Sequence, residues 1–569
     1  MESDTAAVWR DHYRHPAPWE TDFPPLSVPD MLAASVARAP DAPMLDFYGR
    51  IFSYRTVQDA ARRVARGLLD HGIRPGDRVG LFLPNVPHYV AAYYGAMMAG
   101  AVVVNFSPLY SVEELSHQVE DSGTRLLFTL TAKALLPTAL AVLDQSSLET
   151  LVLGSVAGAL PLGKAIGYRL FKRNEDAARP RDSRVLAFSD LLHNDGVLPD
   201  RRIDPERELA LLQYTGGTTG RPKGAMLSHQ NLTANARQSN AIDPQWGEPE
   251  RVLGVLPFFH VFANTTVLNR TIARGGEIVM LPRFDGGQTL AALRRTRATS
   301  MPGVPTMYQA LLDHPDLGRT DFSGLRVCVS GGAPLSPALK ARFEAVTGAR
   351  LVEGYGLTET SGVVSANPYE GEGKAGTIGQ PVPGTRVRLV DKSDPTLPAP
   401  PGDPGEIEVA GPQIMQGYWR RPDATAECLV GGWLRTGDVG TIDAYGFIRI
   451  VDRMKDMIAV GGFKVFPSAV EAVIYRHPAV REAIVIGVPD AYHGEMPKAF
   501  VTLYPAAAET GEVLKAWLNP QLGKHERVIA VEVRESLPRT LVGKLSRKEL
   551  VAEERAKAAV GGVASAEHG

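Results

Sequence analysis

A layered α/β fold in several units is what this chain predicts, and three observations predict it. The chain has 569 residues, more than one hydrophobic core serves, and at about 150 residues per unit it divides into three or four structural units. Short apolar runs of strand length alternate with segments whose apolar residues recur at helical spacing, the rhythm of parallel βαβ units. The texture then changes near Arg453, where helix and strand signals of a smaller α+β unit begin.

The elements follow in order. Residues 56–73 set Val57, Ala60, Ala61, Val64, Ala65, Leu68 and Leu69 at helical spacing, and the next segment, GDRVGLFLPN, reads as a buried strand. Apolar runs recur at ELALLQY, RVLGVLPFF, GEIVMLP and LRVCVSGG, with SPALKARFEAVTG as an intervening type of helix. Two layered α/β subdomains are therefore expected before residue 385. From VRLVD through GEIEVAG to FIRIV, short strands punctuated by Gly and Pro predict a small β unit. Beyond it, PSAVEAVIYRHPAV, EAIVIGVPD and KAFVTLYP read as helix, strand and strand. The expected division is 1–453 and 454–569, with the boundary between Asp452 and Lys455.

Composition narrows the function. Apolar residues make up 44% and charged residues 22%, a globular balance. Lys and Arg number 61 against 63 for Asp and Glu, so no global field favours nucleic acid, and an anionic substrate must be held by local groups. Two cysteines, Cys328 and Cys428, do not make a disulfide framework, which points to the cytoplasm. The first residues, MESDTAAVWRDHYRHPAPW, lack the apolar stretch of a secretion signal. No window reaches the roughly 18 apolar residues of a membrane-spanning helix, and the chain does not end in a peroxisomal tripeptide. The segment VAGALPLGKAIGYRLFKRNEDAARPRDSR joins an apolar stretch to basic residues. It reads either as a surface excursion with snorkelling side chains or as a peripheral contact with a membrane.

Four motifs carry chemistry. In YTGGTTGRPKGA, residues 214–225, Gly216, Gly217 and Gly220 let backbone N–H groups converge, Thr215, Thr218 and Thr219 add hydroxyls, and Lys223 adds positive charge. That is an anion cradle, though not a Walker loop, because no Gly-Lys-Ser/Thr follows the spacer. In EGYGLTET, residues 353–360, Gly354 and Gly356 begin a dinucleotide-like pattern, but Glu359 stands where the third glycine belongs and would repel a pyrophosphate. A carboxylate there suits Mg2+, while Tyr355 offers a flat face to a base and Thr358 a hydroxyl to a phosphate. In WLRTGD, Asp438 can accept two hydrogen bonds from a ribose diol or can cap a turn. In LPRTLVGKLSRKEL, Lys544 follows Gly543 and can swing into a site, or belongs to a solvated basic face with Arg539, Arg547 and Lys548. A serine hydrolase elbow G-x-S-x-G and a zinc motif H-E-x-x-H are both missing.

In this order the four motifs resemble the adenylate-forming superfamily of acyl-CoA synthetases, firefly luciferases and peptide-synthetase adenylation domains. The resemblance covers nearly the whole chain, from LPNVPHYVAAYYGAMMAGAVVVNFSPLYSVEEL through LPFFHVFA, GEIEVAGPQIMQGYW and DRMKDMIAVGGFKVFP to the terminal lysine loop. It is most similar to bacterial long-chain fatty acid CoA ligases, in LQYTGGTTG, in NFSPLYSVEELSHQVEDSG and in the inserted segment between about 150 and 200.

The resemblance implies ATP, Mg2+ and coenzyme A as co-substrates and cofactor. It implies a medium- or long-chain acyl-CoA ligase that works through an acyl-adenylate and releases pyrophosphate and AMP. The alternatives are a luciferase-like oxidoreductase and a CoA ligase for an aromatic or other acid. Thr215 and Glu359 would ligate Mg2+, loop 214–225 would hold the β and γ phosphates, and Thr358 would meet the α phosphate. Tyr355, between Gly354 and Gly356, would lie against adenine, and Asp438 and Arg453 would bind the ribose. Lys544 would bridge the attacking carboxylate and the α phosphate, with His260 between the carboxylate and an acyl pocket walled at Gly303, Gly331 and Gly332. The small C-terminal domain would be mobile, turning about Lys455 to bring Gly461 and Gly462 to the pantetheine tunnel. Three positions depart from the common pattern: Gly217 where Ser is frequent, Arg539 where Lys is frequent, and Lys464 where Asn, Gln or Arg is common. The partners implied are small molecules and no nucleic acid, with monomer and homodimer both open.

Overall fold

The computed structural model describes residue 9 and residues 11–215, 222–248, 250–461, 463–490, 492–505, 507–540 and 545–566. Two large sheets carry the first 385 residues, as the alternating pattern predicts. The first has eight strands in the order Gly417–Tyr418, Lys223–Ser228, Leu209–Thr215, Val102–Asn105, Arg78–Leu81, Thr124–Leu130, Thr150–Gly154, Val185–Ala187. From Leu209–Thr215 to Val185–Ala187 the pairing is parallel. Parallel strands are covered on both faces, so they read as unbroken apolar runs, and Val102–Asn105 is buried at every residue.

One of the covering helices is Tyr54–Asp70. The Ser53 hydroxyl caps it by accepting the Thr56 N–H at 3.2 Å. Val57, Ala61, Val64, Ala65 and Leu68 form its buried face, and Ala60 and Leu69 are partly buried against the same core, as the spacing predicts. It lies close against Pro87–Met98, where a side chain at Gly95 would meet Val64 and the Ala61 carbonyl within 2.8 Å.

The second sheet runs through Arg50–Ser53, Pro43–Phe47, Glu277–Met280 and Arg251–Gly254. Bridges at Ser300 and Gly303 carry it on to Val327–Ser330 and the parallel strand Arg350–Tyr355. Short antiparallel strands, Ser365–Ala366 and Gln380–Pro381, finish that edge. The β unit contains Arg386–Val390, Gly405–Ala410, Trp433–Ile442 and Ile448–Arg453, paired antiparallel. A helix, Pro422–Cys428, interrupts it.

The C-terminal part has its own core. Val480–Asp490 and Gly494–Leu503 form a long hairpin, and the free edge of Gly494–Leu503 pairs with Ala530–Val533, parallel, and at Gly494 with Ile458–Val460, antiparallel. Val470 and Ile474 of helix Pro467–Ile474, with Leu514 and Leu518 of helix Gly511–Leu518, pack on it in a cluster separate from the large one. The chain is thus a large α/β body with a small α+β one. Among the described residues no helix is long and apolar enough to cross a membrane.

Candidate functional site

A cleft of about 1990 Å³ runs between the strand ends of the large body and the small body. Leu209–Thr215 brings Thr215 to it, Arg350–Tyr355 brings the EGYG segment, and the β unit brings Asp438 and Arg453.

On one side Thr215 and Lys223 face each other as the last pair of an antiparallel ladder. Lys223 therefore begins a strand rather than riding in a loop, and residues 216–220, with Gly216, Gly217, Thr218, Thr219 and Gly220, lie outside the described residues. Pairing of Tyr418 with Ala225 sets the Tyr418 ring beside this hairpin. The Lys223 ammonium stands 5.1 Å from the ring centroid, a cation–π distance, and the Tyr418 hydroxyl donates to Glu359 Oε1 at 2.6 Å. Burial and then the Glu359 charge push the Tyr418 phenol far above its ordinary range. Glu359 sits in a single turn, Thr358–Thr360, pinned where its carbonyl accepts the Met415 N–H at 2.9 Å. The sequence assigned Tyr418 no role. Its only signal was an aromatic residue after a glycine, in MQGYW. Among the described residues no three His, Cys, Asp or Glu side chains gather to cage a metal. The hard oxygens present, the Thr215 hydroxyl and one carboxylate of Glu359, fit Mg2+, which binds through one or two carboxylates plus substrate phosphates.

At the other side Asp438 lies within the strand Trp433–Ile442, not in a turn, directly across from Arg453. Its side chain is 4% exposed. Tyr355 donates to Asp438 Oδ2 at 2.5 Å, and Arg453 Nε pairs with Oδ1 at 3.0 Å. Asp438 raises the Arg453 guanidinium above its ordinary value. Burial, then Asp438, pushes Tyr355 well up. Each carboxylate oxygen keeps a second lone pair for a diol, and the Asp438 N–H donates to the Thr436 hydroxyl at 3.1 Å.

Gly356, Thr358 and Glu359 line the cleft together. A Cβ on Gly356 would lie 2.0 Å from the Gly362 carbonyl oxygen, whereas one on Gly354 would have 3.5 Å of clearance. Glu353 also lines the cleft, and its Oε1 accepts the Leu335 N–H at 3.1 Å. Burial pushes its carboxyl up to about 7. This glutamate ties the EGYG strand to the SGGAP loop, a job the sequence did not disclose.

Beyond that loop Phe262, Val304, Ala338 and Leu339 give the cleft an apolar wall, beside the polar Thr306, Gln309 and Arg342. Gly303 and Ser330 are bridged, the Gly303 N–H reaches the Val329 carbonyl at 2.9 Å, and the Gly331 N–H reaches the Gly303 carbonyl at 3.1 Å. A side chain on Gly331 would come within 2.9 Å of the Phe262 ring, one on Gly303 within 2.9 Å of Tyr308, and Gly332 has φ +79. His260 caps the next turn, its Nδ1 accepting the Phe262 N–H at 3.2 Å, so a neutral ring carries its proton on Nε2.

From the small body, Arg539 and Leu545 line the cleft and bridge each other. Residues 541–544, with Lys544, lie between them and outside the described residues. Lys455 lies in the backbone turn Met454–Asp456. Gly461 has φ +55 and donates its N–H to the His493 carbonyl at 2.8 Å. Gly462 is outside the described residues. Next to Lys455, Ser468 donates its N–H to Asp452 Oδ2 at 2.9 Å and its hydroxyl to that oxygen and to the Val451 carbonyl. Arg547 pairs with Glu471 at 2.6 Å and Asp456 at 3.3 Å.

Known proteins resemble this chain in sequence and in fold. The AMP-binding enzyme family matches residues 32–419, and the AMP-binding enzyme C-terminal domain matches residues 469–544. A long-chain-fatty-acid–CoA ligase of Bacillus subtilis is 41% identical over 551 residues, 96% of this chain and 98% of that one. A feruloyl-CoA synthase of Amycolatopsis is 37% identical over 90% of this chain and 96% of that one. Among solved structures, ATP-bound MatB from Rhodopseudomonas palustris gives a TM-score of 0.80 at 29% identity, covering 93% of this chain and 99% of that one. The anthranilate CoA ligase AuaEII with anthranoyl-AMP gives 0.83 at 26%, covering 94% and 98%. With both bodies matched in order and a relative aligned over almost its full length, this chain belongs to the AMP-binding enzyme family.

Proposed function

We propose that the protein is an ATP-dependent ligase that joins a medium- or long-chain fatty acid to coenzyme A. The observation that carries the reading is the convergence of Thr215, Lys223, Glu359 and the Tyr355–Asp438–Arg453 group on one cleft that continues into an apolar wall.

In the first step the acid's carboxylate oxygen attacks the α phosphorus of ATP, and the bond to pyrophosphate breaks. In the second the thiol sulfur attacks the acyl carbon, its proton is lost to solvent and AMP leaves. Asp438 and Arg453 hold the ribose, and Tyr355 orients Asp438 while its ring borders the base between Gly354 and Gly356. Thr358 meets the α phosphate, and Lys223 with residues 216–220 holds the outer phosphates. Thr215 and Glu359 would hold Mg2+, which when bound would neutralise phosphate charge. The acyl chain lies against Gly303, Gly331 and Gly332, with His260 near its carboxyl end.

The proposed units are 1–453 and 454–569, with Lys455 as hinge. Lys544 serves adenylation, and Gly461 and Gly462 serve thioester formation after the small unit turns. The enzyme works in the cytoplasm on small molecules, with peripheral access to membrane-held substrate.

A second reading, an aromatic acid CoA ligase, is favoured by the feruloyl-CoA and anthranilate relatives. Measuring AMP release over saturated acids of increasing length beside coumarate separates the two. Each methylene buried in the apolar part contributes about 0.8 kcal/mol, roughly fourfold in kcat/KM, so octanoate and longer acids should far exceed acetate and coumarate. The highest kcat/KM on an aromatic acid would overturn the fatty acid reading.

A further inference from the structure

One hydroxyl on the cleft wall lacks a partner among the described residues. Ser239, near the end of the helix His229–Ala241, is 2% exposed, and its side-chain oxygen makes no hydrogen bond. Three buried hydroxyls on other helices bond back to the carbonyl four residues earlier: Ser122 to Gln118 at 2.7 Å, Thr296 to Ala292 at 2.8 Å and Thr347 to Phe343 at 2.8 Å. Thr266, which lines the cleft, does the same to Phe262 at 2.7 Å. Ser239 does not. Among the described residues it is the one cleft-lining residue with a buried polar side-chain atom left unbonded. Its backbone carbonyl accepts Arg270 Nε at 3.3 Å, and Arg270 is not on the cleft wall, so the side chain is what Ser239 turns to the cleft.

The surroundings say what would reach it. Ile242 follows one helical turn on and packs with Val329, Val363, Ala366 and Tyr369 in a buried cluster that Phe262 joins. All of these line the cleft, and Phe262 is the ring that Gly331 faces. Ser239 thus belongs to the branch where the acyl chain lies, not to the nucleotide end at Tyr355 and Asp438. An unsubstituted hydrocarbon passing Ser239 leaves its hydroxyl unpaired, whereas a hydroxyl on the chain both donates and accepts and so pairs with it. We propose that the acyl pocket takes fatty acids that carry a hydroxyl group along the chain, and that Ser239 selects them. The inference rests on the fatty acid reading and adds to it the class of acid.

AMP release by the full-length protein tests it, on ω-hydroxy acids from octanoic to hexadecanoic, which walk the hydroxyl along the pocket, and on their unsubstituted parents. At the length that brings the hydroxyl to Ser239, the kcat/KM ratio of hydroxy acid to parent should stand at least about fivefold above the other lengths, the scale of one neutral hydrogen bond. Ser239→Ala and Ser239→Cys should abolish that excess, through KM. Alanine leaves no unpaired hydroxyl in the wall, so the melting temperature of Ser239→Ala should equal or exceed that of the wild type, whereas a purely structural hydroxyl would lower it on removal. A flat ratio across the wild-type series overturns the inference, and so does an excess that both variants keep. So does a Ser239-dependent preference for coumarate over cinnamate with none in the fatty series, which would give the hydroxyl to a phenol. Turnover of the parent acids with a flat ratio sinks this inference alone, while no turnover of any fatty acid ends both readings.

Discussion

Gly356→Ala puts a methyl group where the backbone of another segment already is. The added Cβ would lie 2.0 Å from the Gly362 oxygen, 2.6 Å from its carbonyl carbon and 2.9 Å from Val363 Cα. All three are main-chain atoms, so no rotamer relieves the contact, and bringing the 2.0 Å contact to an ordinary 3.4 Å needs a shift of 1.4 Å. Overpacking of this kind costs about 1–3 kcal/mol of stability. The larger effect falls on function, because Thr358 and Glu359 follow within three residues, and a 1 Å misplacement of reacting groups costs about 10²-fold. Fatty-acid-dependent ATP–pyrophosphate exchange should therefore drop by about 10², with a small loss in melting temperature. Gly354→Ala is the control: its nearest neighbours stand at 3.5 Å, and it should stay within about twofold of wild type. Wild-type exchange in Gly356→Ala, or equal losses in both variants, would refute the argument that this crossing positions the site.

Tyr355→Phe removes the hydroxyl that Asp438 accepts, a bond to a charged group worth about 1.5–3 kcal/mol, and should raise KM for ATP at least about tenfold with little change in kcat. An unchanged KM would separate Asp438 from ribose binding. Glu353 has a folded pKa of about 7 against the ordinary 4.5, so between those values the unfolded chain is ionised while the folded chain keeps its proton. Stability therefore falls as pH rises from about 4.5 to 7 and levels off above, by at most about 3 kcal/mol. Glu353→Gln should flatten that slope in denaturant melts at pH 5 and pH 7, and parallel slopes for the two proteins would contradict it. Lys544→Ala should slow adenylation by at least about 10²-fold yet still convert synthetic acyl-adenylate and coenzyme A to acyl-CoA, while Gly462→Leu shows the reverse. Equal losses in both half-reactions would end the proposal of a turning domain.

What could be read from the chain is what periodicity encodes. The buried face of Tyr54–Asp70 follows from its spacing, and parallel strands such as Glu277–Met280 and Val327–Ser330 follow from the apolar runs GEIVMLP and LRVCVSGG. Periodicity says which face is buried, not which residue lies opposite. That Asp438 faces Arg453 depends on the register of two antiparallel strands, and Tyr418 reaches Glu359 only because a two-residue strand adds to the edge of the first sheet. Lys223 was read as part of a loop because Gly and Thr precede it, although its partner Thr215 draws it into a ladder. The helix Pro422–Cys428, with no fully buried residue, has no apolar stripe to announce it. The role of Glu353 is a contact between segments 18 residues apart in the chain, which motif spacing does not encode.

The ion pairs beside Lys455 are arranged so that most of their strength moves with the small unit. Arg547, Glu471 and Asp456 all follow the proposed pivot in sequence, so a turn there leaves their mutual attraction intact. The Ser468 bonds to Asp452 and Val451 are different, because they cross the pivot. Breaking these bonds costs on the order of a few kcal/mol, beside the attraction between Asp452 and Arg547, which also crosses the pivot. An energy of that size is comparable to a substrate's preference for one orientation over another. On the proposed turn of the small unit, a latch this weak would let occupancy set the angle between the units, and dyes placed on the two would report the progress of each turnover as a distance.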